Sequence, residues 1–115
     1  MVRPSGSLIA SGKKTLEVRR WEPNLLPSDD LLIVENDRFL LHDGDYDEDG
    51  VPVAIVKVKA VRPFMLSDVK AACASYFEEG WLVWELAEVR PVRSTVPVIA
   101  ARGLYEVAFR LSQNS

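Results

Sequence analysis

The sequence predicts an α+β fold: a small, barrel-like antiparallel β-sheet of five or six strands with two flanking helices. Three observations support this prediction. The chain has 115 residues, the size of a single domain spanning 1–115. Its apolar residues form short runs with strand periodicity, and helical patterns occur at only two places. A parallel arrangement would need more crossover helices than this chain offers.

The first helix and the first strand are predicted next to each other. Arg3 to Ser11 is predicted as a short helix, because Pro4 suits a helix start and Gly12 a helix end. Lys13 to Trp21 then alternates as a strand does, with Leu16 on one face. The other face of this strand carries four residues with polar or aromatic side chains: Thr15, Glu17, Arg19 and Trp21.

The middle of the chain predicts further strands around an acidic loop. Leu31 to Glu35 and Arg38 to His42 are short apolar runs separated by Asn36-Asp37, the pattern of a tight hairpin. The segment 43–50 is almost wholly acidic and is predicted as a solvated loop. Val51 to Val61 alternates again and predicts a strand.

The last third predicts one longer helix and two more strands. Ser67 to Phe77 has a Ser N-cap candidate and is followed by Gly80, which predicts a helix of about three turns. Trp81 to Val89 is apolar on both parities, the pattern of a strand covered on both faces. Leu104 to Leu111 predicts a final strand before the polar tail 112–115. The helix would place five residues on its core face: Val69, Ala72, Cys73, Tyr76 and Phe77.

Composition excludes several classes of protein. Hydrophobic residues make up 48% and charged residues 27% of the chain, which is typical of a globular domain with a packed core. One cysteine, Cys73, allows no internal disulfide, and we expect a cytoplasmic protein. No apolar run is long enough to span a bilayer, so no membrane contact is expected.

Metal and cofactor chemistry is not expected from these residues. His42 is the only histidine, and no glycine-rich phosphate loop occurs. The acidic run beginning at Asp45 matches the opening of an EF-hand loop, but Val56 stands where the closing glutamate is required. We therefore predict neither a metal site nor a cofactor.

Charge is segregated along the chain although the net charge is only −3. Residues 1–20 hold five basic residues against the single acid Glu17. Lys57, Lys59 and Arg62 form a second basic cluster. If the fold gathers the two clusters on one side, a cationic cleft results.

The segment from Gly12 to Trp21, called the motif below, holds the residues best suited to bind a ligand. An arginine offers a planar fork for phosphate or carbonyl groups, and Glu17 can accept a hydrogen bond from a base edge or move a proton. Trp21 could stack on a base. The structural alternative is an exposed edge strand on which Glu17 and Arg19 form a weak surface ion pair.

These residues resemble the signature of the ASCH domain (activating signal cointegrator homology), a relative of the PUA domain. The resemblance rests on Gly12-Lys13-Lys14-Thr15-Leu16-Glu17-Val18-Arg19-Arg20-Trp21, preceded by Ile9 in a short helix. Later segments also resemble the family and extend the likeness over nearly the whole chain: Trp84-Glu85-Leu86, Val89-Arg90-Pro91-Val92, Pro97-Val98 and Arg102-Gly103-Leu104-Tyr105.

The resemblance implies a small PUA-like β-barrel with flanking helices, a cleft lined by the motif, and functions related to RNA or nucleosides. Small bacterial members of the family hydrolyse the acetyl amide of N4-acetylcytidine with a lysine and a threonine of the motif and a glutamate from elsewhere. Lys14 matches the lysine, but Glu17 stands at the position of the nucleophilic threonine, and Thr15 matches a neighbouring one. Glu78 and Glu79 match the distant glutamate by region only.

We therefore predict a domain that binds RNA or a modified nucleoside in a cationic cleft. The alternative is a hydrolase of a nucleoside amide or of RNA phosphodiesters, with Lys14 and Glu17 as catalytic residues. A protein adaptor is a third possibility, without an exposed amphipathic stripe to support it. The chain is expected to be a monomer or homodimer, without an obligatory protein partner. The expected ligand-binding residues beyond the catalytic pair are Lys13, Thr15, Arg19, Trp21, Lys57 and Lys59.

Overall fold

The chain folds around an antiparallel β-sheet with one short helix packed against it. The computed structural model describes residues 1–37, 40, 45–93 and 97–101. In chain order the elements are helix α1 (Ser5–Ala10) and strands β1 (Leu16–Arg19), β2 (Leu31–Glu35), β3 (Tyr46–Pro63), β4 (Leu82–Pro91) and β5 (Val98–Ala101), with a 3₁₀ turn at Leu66–Asp68 between β3 and β4.

Four strands lie side by side in the order β1-β4-β3-β2, and β5 pairs with the first residues of β3. The length of β3, 18 residues, allows it to pair with three other strands along its course. The prediction of an antiparallel, β-rich fold is confirmed. The prediction of a barrel of five or six strands is not, because β1 and β2, the outer strands of the described sheet, do not pair with each other. The predicted strand from Leu104 to Leu111 lies outside the described residues.

The sheet buries side chains on both faces. On one face α1 inserts Ile9 beside Trp84 of β4. On the other face Val83 packs with Leu16 of β1 and with Phe64, which follows β3. The pattern of Trp81 to Val89 had predicted a strand covered on both sides, and Val83 and Trp84 confirm it, since these neighbours are both fully buried.

Two glycines allow α1 to pack where it does. Gly6 lies so close to β3 that an added Cβ would be 2.9 Å from Cγ2 of Val53, a contact that real side chains do not make. Gly12 follows the helix with φ +81, the left-handed conformation that favours glycine. The helix α1 lies within the predicted range, and Gly12 turns the chain from it into the motif.

The helix predicted over Ser67 to Phe77 does not form. In its place a 3₁₀ turn is followed by further turns, and Cys73 has φ 51, which ends any continuation as a helix. The carboxylate of Asp68 accepts a hydrogen bond from the backbone N–H of Met65 (2.9 Å) and two from Arg62 (2.8 and 3.0 Å), which caps the start of the turn as it would cap the start of a helix. The turn ends at Cys73, where the N–H of Cys73 donates to Lys70 and the N–H of Ala74 donates to Val69, the bonding that closes a helix at a residue with positive φ.

This difference changes which side chains are buried. Ala72 is buried, as predicted. Cys73, predicted on the core face, is exposed, and its Sγ lies 3.7 Å from the carbonyl oxygen of Lys13. Tyr76 and Phe77, also predicted to be buried, are exposed. The segment therefore presents aromatic rings at the surface.

The acidic segment 43–50 is also different from the prediction over its described part. Residues 46–50 are strand rather than loop, because β5 supplies a pairing partner, with Tyr46 opposite Ala101 and Asp47 opposite Ala100. The partner of β2 is β3. The strand predicted over Arg38 to His42 lies outside the described residues apart from position 40.

Candidate functional site

Backbone hydrogen bonds hold the motif in place at the edge of the sheet. The N–H groups of Lys13 and Lys14 both donate to the carbonyl oxygen of Leu8 in α1, each at 3.0 Å. The N–H of Thr15 donates to Ala71, and its carbonyl accepts from Leu86 at 3.1 Å. Since β1 pairs only with β4 among the described strands, the motif lies between the helix and an open sheet edge.

Lys14 and Glu17 form a buried ion pair. Their side chains are 11% and 8% exposed, and Nζ of Lys14 lies 3.5 Å from Oε1 of Glu17. The same Nζ donates a hydrogen bond of 2.7 Å to Oγ of Ser5 in α1. The other carboxylate oxygen of Glu17, Oε2, is buried and accepts no hydrogen bond from the described residues. A buried acceptor without a donor is uncommon in native proteins and calls for a functional explanation.

A second buried carboxylate lies on the other side of α1. Glu35, at the end of β2, accepts hydrogen bonds from the backbone N–H of Ser7 (2.8 Å) and from its hydroxyl (2.9 Å), and its Oε1 lies 3.5 Å from Nη1 of Arg3. Ser5 and Ser7 thus connect α1 to Lys14 and to Glu35 respectively. Both oxygens of Glu35 have donors, whereas one oxygen of Glu17 has none.

The charges of Glu17 and Glu35 both affect the amino group of Met1. It donates a hydrogen bond of 3.0 Å to the carbonyl oxygen of Val34. Burial lowers its pKa most, and the positive charge of Arg19 lowers it further, while Glu17 and Glu35 act in the opposite direction. The amino group of Met1 is therefore close enough to Arg19, Glu17 and Glu35 for their charges to affect its pKa.

Three cations of the motif have no acidic partner. Lys13, Arg19 and Arg20 make no ion pair with any residue that the structure describes. Lys13 and Arg20 are exposed, and Arg19 is half-buried. Cations in this state are available to anionic ligands such as phosphate.

Trp21 ends the motif with a ring that is 41% exposed. Its ring meets that of Trp84 edge to face, with centroids 5.0 Å apart and planes at 79°. Nε1 of Trp84 also donates to the carbonyl oxygen of Trp21 at 3.2 Å. These two contacts fix the position of an exposed aromatic ring, which suits it to stacking on a planar ligand.

Lys57 and Lys59 are not brought to the motif. Nζ of Lys57 bonds to Asp30 (2.8 Å) and to the carbonyl oxygen of Ser28 (3.0 Å), and Nζ of Lys59 lies 4.0 Å from Glu85. Between β1 and β4, Glu85 lies opposite Leu16 and Trp84 lies opposite Glu17, so Glu85 and Glu17 are on opposite faces of the sheet. The two lysines lie on the face of Glu85 and therefore face away from Glu17. The single cationic cleft expected from the two basic clusters is therefore not formed.

Ser5 is the site residue that the sequence did not indicate. Nine positions separate it from Lys14, and only the folding of α1 back onto the motif brings the two together. Glu78 and Glu79, the candidates for a distant glutamate, are exposed and make no hydrogen bond or ion pair with the motif within the part of the chain that the structure describes. The motif's own Glu17 is the carboxylate nearest to Lys14.

The described residues show neither a metal-binding cluster nor a membrane-spanning helix. Within residues 1–37, 40, 45–93 and 97–101 no group of three or more His, Cys, Asp or Glu side chains is placed to hold a metal ion. Over the same ranges no helix has the length and apolar character needed to cross a bilayer. His42 lies outside them.

Comparison with known proteins supports one family. The family model of the ASCH domain matches residues 1–95, which include the motif and all of β1 to β4. No curated protein and no solved structure matches the chain.

Proposed function

Since this chain belongs to the ASCH domain family, a PUA-like family of RNA-binding domains, we propose that it binds RNA or a modified nucleoside at the motif. The observation that carries this proposal is Oε2 of Glu17, a buried carboxylate oxygen held beside Lys14 that accepts no hydrogen bond from the part of the chain that the structure describes.

Glu17 is suited to read the edge of a base. A carboxylate only accepts hydrogen bonds, and the exocyclic amine of cytosine and the N–H groups of guanine are donors that carboxylates recognise. An unsatisfied buried acceptor costs about 1–3 kcal/mol, and a ligand N–H that bonds to Oε2 removes this cost. Lys14 keeps the carboxylate in place through its ion pair.

The remaining motif residues supply stacking and charge. Trp21, fixed against Trp84, offers an aromatic face to the base. Lys13 and Arg19, free of acidic partners among the described residues, are available to phosphate oxygens. In this arrangement Glu17 gives specificity, while Trp21 and the cations contribute affinity.

The test compares two carboxylate variants in binding to a fluorescein-labelled single-stranded RNA and to free cytidine and guanosine. Glu17→Gln replaces one acceptor oxygen by a donor and should weaken binding about tenfold or more. Glu85→Gln is the matched control, because Glu85 is a strand carboxylate on the opposite face whose oxygens lie against Arg62 and Lys59. It should bind as the wild type does. Failure of the wild type to bind any of these ligands, or equal binding by Glu17→Gln, would overturn the proposal.

A hydrolase is the second candidate, and the short contact between Lys14 and Ser5 favours it by placing a hydroxyl beside a buried ammonium. In this alternative Glu17 takes a proton from water as the water oxygen attacks the amide carbonyl or the phosphorus, and Lys14 stabilises the developing negative charge. The C–N or P–O bond then breaks and the proton passes from Glu17 to the leaving nitrogen or oxygen, which releases acetate and cytidine or two RNA fragments. Binding is the better supported function, because the family that matches this chain is one of RNA-binding domains.

Product formation distinguishes the two candidates. Purified protein is incubated with N4-acetylcytidine and with single-stranded RNA, and the products are identified by mass spectrometry beside a Lys14→Ala control. The binding proposal predicts no product from either substrate. Deacetylated or cleaved product that disappears in the control would replace it by the hydrolase alternative.

A further inference from the structure

We propose that the ligand is a single RNA strand rather than a free nucleoside, and that a second nucleotide of the strand, beyond the one at Glu17, stacks on an aromatic surface on the other face of the sheet. This surface, called the aromatic platform below, is formed by Arg20, Tyr76 and Trp81. The inference rests on the proposed function, since it assigns the substrate class of the same site.

The platform consists of three planar side chains in contact. Cζ of Arg20 lies 5.8 Å from the centre of the Trp81 ring, over its face. The ring of Tyr76 meets Trp81 edge to face, with centroids 5.9 Å apart and planes at 71°. Trp81 packs against the core group of Leu16 and Val83, while Tyr76 is 57% exposed. A guanidinium plane and an aromatic face, both anchored on the same tryptophan, are the groups on which unpaired RNA bases stack.

The platform adjoins the motif on the other face of the sheet. Arg20 and Trp21 are consecutive, so their Cα atoms are about 3.8 Å apart. Arg20 contacts Trp81, which packs on the face of Val83, whereas Trp21 contacts Trp84 on the face of α1. The two side chains therefore point to opposite faces at the end of β1, and an RNA strand bound at Trp21 reaches Arg20 around the outer edge of the described sheet.

The charged side chains around the platform determine where the RNA backbone is expected to lie. Arg20, Lys13 and Lys70 are exposed and have no ion pair with any described residue. Glu78 and Glu79 lie beyond Tyr76 in the sequence and are exposed as well. Since carboxylates repel phosphate, the RNA backbone is expected on the side of Arg20 and Lys13, with the base directed towards Tyr76.

The test compares the affinity for a single-stranded RNA with the affinity for a nucleoside. Affinities are measured for a short single-stranded RNA and for the nucleoside that binds best, with wild type, Tyr76→Ala and Arg20→Ala. Both variants should lose about tenfold in affinity for the strand, as expected for removal of one base stack, and should bind the nucleoside normally. Arg20→Ala should also reduce the slope of log affinity against log salt by about one unit, the change expected for loss of one phosphate contact.

Two control variants exclude loss of folding and a general effect of the surface. Tyr76→Phe keeps the ring and should bind the strand as the wild type does. Leu66→Ala removes an apolar side chain that is 70% exposed on the same segment, and it should leave strand binding unchanged.

The outcomes separate this inference from the proposed function. If Glu17→Gln loses nucleoside and strand binding while Tyr76→Ala binds the strand normally, the proposed function stands and the platform is wrong. If the wild type binds a nucleoside but no RNA, the proposed function stands and this inference is wrong; if it binds neither, both are wrong. If Tyr76→Ala and Leu66→Ala alter the oligomeric state by light scattering without changing strand affinity, the surface is a protein interface and the inference is overturned.

Discussion

Glu17 and Glu35 are both buried carboxylates beside α1, yet their hydrogen bonding differs. Glu35 accepts two hydrogen bonds from Ser7 and lies near Arg3, so both of its oxygens have donors. Glu17 is paired with Lys14 through one oxygen only. Burial alone therefore does not distinguish these two carboxylates; the number of their donors among the described residues does.

The physical roles follow from this difference. The bonds of Glu35 hold the first turn of α1 against the end of β2, and hydrogen bonds to charged groups contribute about 1.5–3 kcal/mol each. Glu17 retains one oxygen without a donor among the described residues. The first arrangement stabilises the fold, and the second leaves the oxygen to which the proposed function assigns the ligand.

The largest effect is expected from Lys14→Met, which leaves the Glu17 carboxylate buried without a countercharge. Removing one partner of a buried ion pair costs about 3–5 kcal/mol, so the free energy of unfolding measured in urea should fall by that amount. The double variant Lys14→Met/Glu17→Gln should regain most of the loss, because the uncompensated charge is gone. A double variant as unstable as Lys14→Met would show that the pair is not the source of the effect.

The second largest effect is a difference between Glu35 and Glu17 in what their substitution changes, stability or RNA affinity. Glu35→Gln replaces an acceptor of the Ser7 hydrogen bonds and should lower the free energy of unfolding by about 2 kcal/mol, while RNA affinity measured on the folded protein stays normal. Glu17→Gln should do the reverse, changing stability by less than about 1 kcal/mol and reducing affinity. Equal losses of stability in the two variants would contradict the comparison.

A third carboxylate, Asp68, also has donors within the protein, and its contribution to stability is expected to depend on pH. Arg62, and next to it the N–H of Met65, lower the pKa of Asp68 below its ordinary value of 3.8, against the opposing effect of burial. The stabilisation is therefore present above the unfolded pKa and is lost as the pH falls through the lower folded pKa. Asp68→Asn should cost about 1–2 kcal/mol at neutral pH and flatten the loss of stability below about pH 4. An unchanged acid profile would show that Asp68 is not one of the donor-satisfied carboxylates.

The smallest effect concerns the surface cations. Arg19→Ala should reduce the slope of log RNA affinity against log salt by about one unit, because Arg19 has no acidic partner among the described residues. Arg90→Ala is the control, since Arg90 is bound to Asp30 and lies away from the motif. It should leave the slope unchanged. Equal slopes for the two variants would mean that pairing within the protein does not decide which cations meet phosphate.

The sequence was sufficient to predict the elements whose pattern is local. The strand that contains Glu17 and the strand covered on both faces around Trp84 follow from alternation of apolar residues, and both are present. The glycine after α1 also occupies the conformation that the pattern predicted.

Other features depend on contacts between distant parts of the chain. The helix predicted over Ser67 to Phe77 is replaced by turns that end at Cys73, whose φ is positive and whose Sγ lies beside the carbonyl oxygen of Lys13, 60 positions earlier. Lys57 is drawn away from a cationic cleft by Asp30, 27 positions earlier. The contact between Ser5 and Lys14 likewise has no periodic signature, since it arises only when α1 packs against the motif.

The central claim is that Glu17 binds the ligand and Glu35 does not. The most direct measurement is the carbon-13 NMR signal of the two side-chain carboxyl groups, assigned with Glu17→Gln and Glu35→Gln, during titration with single-stranded RNA. The account predicts that the Glu17 signal shifts as RNA is added and saturates with the binding curve, while the Glu35 signal stays in place. An unchanged Glu17 signal in protein saturated with RNA would contradict the account.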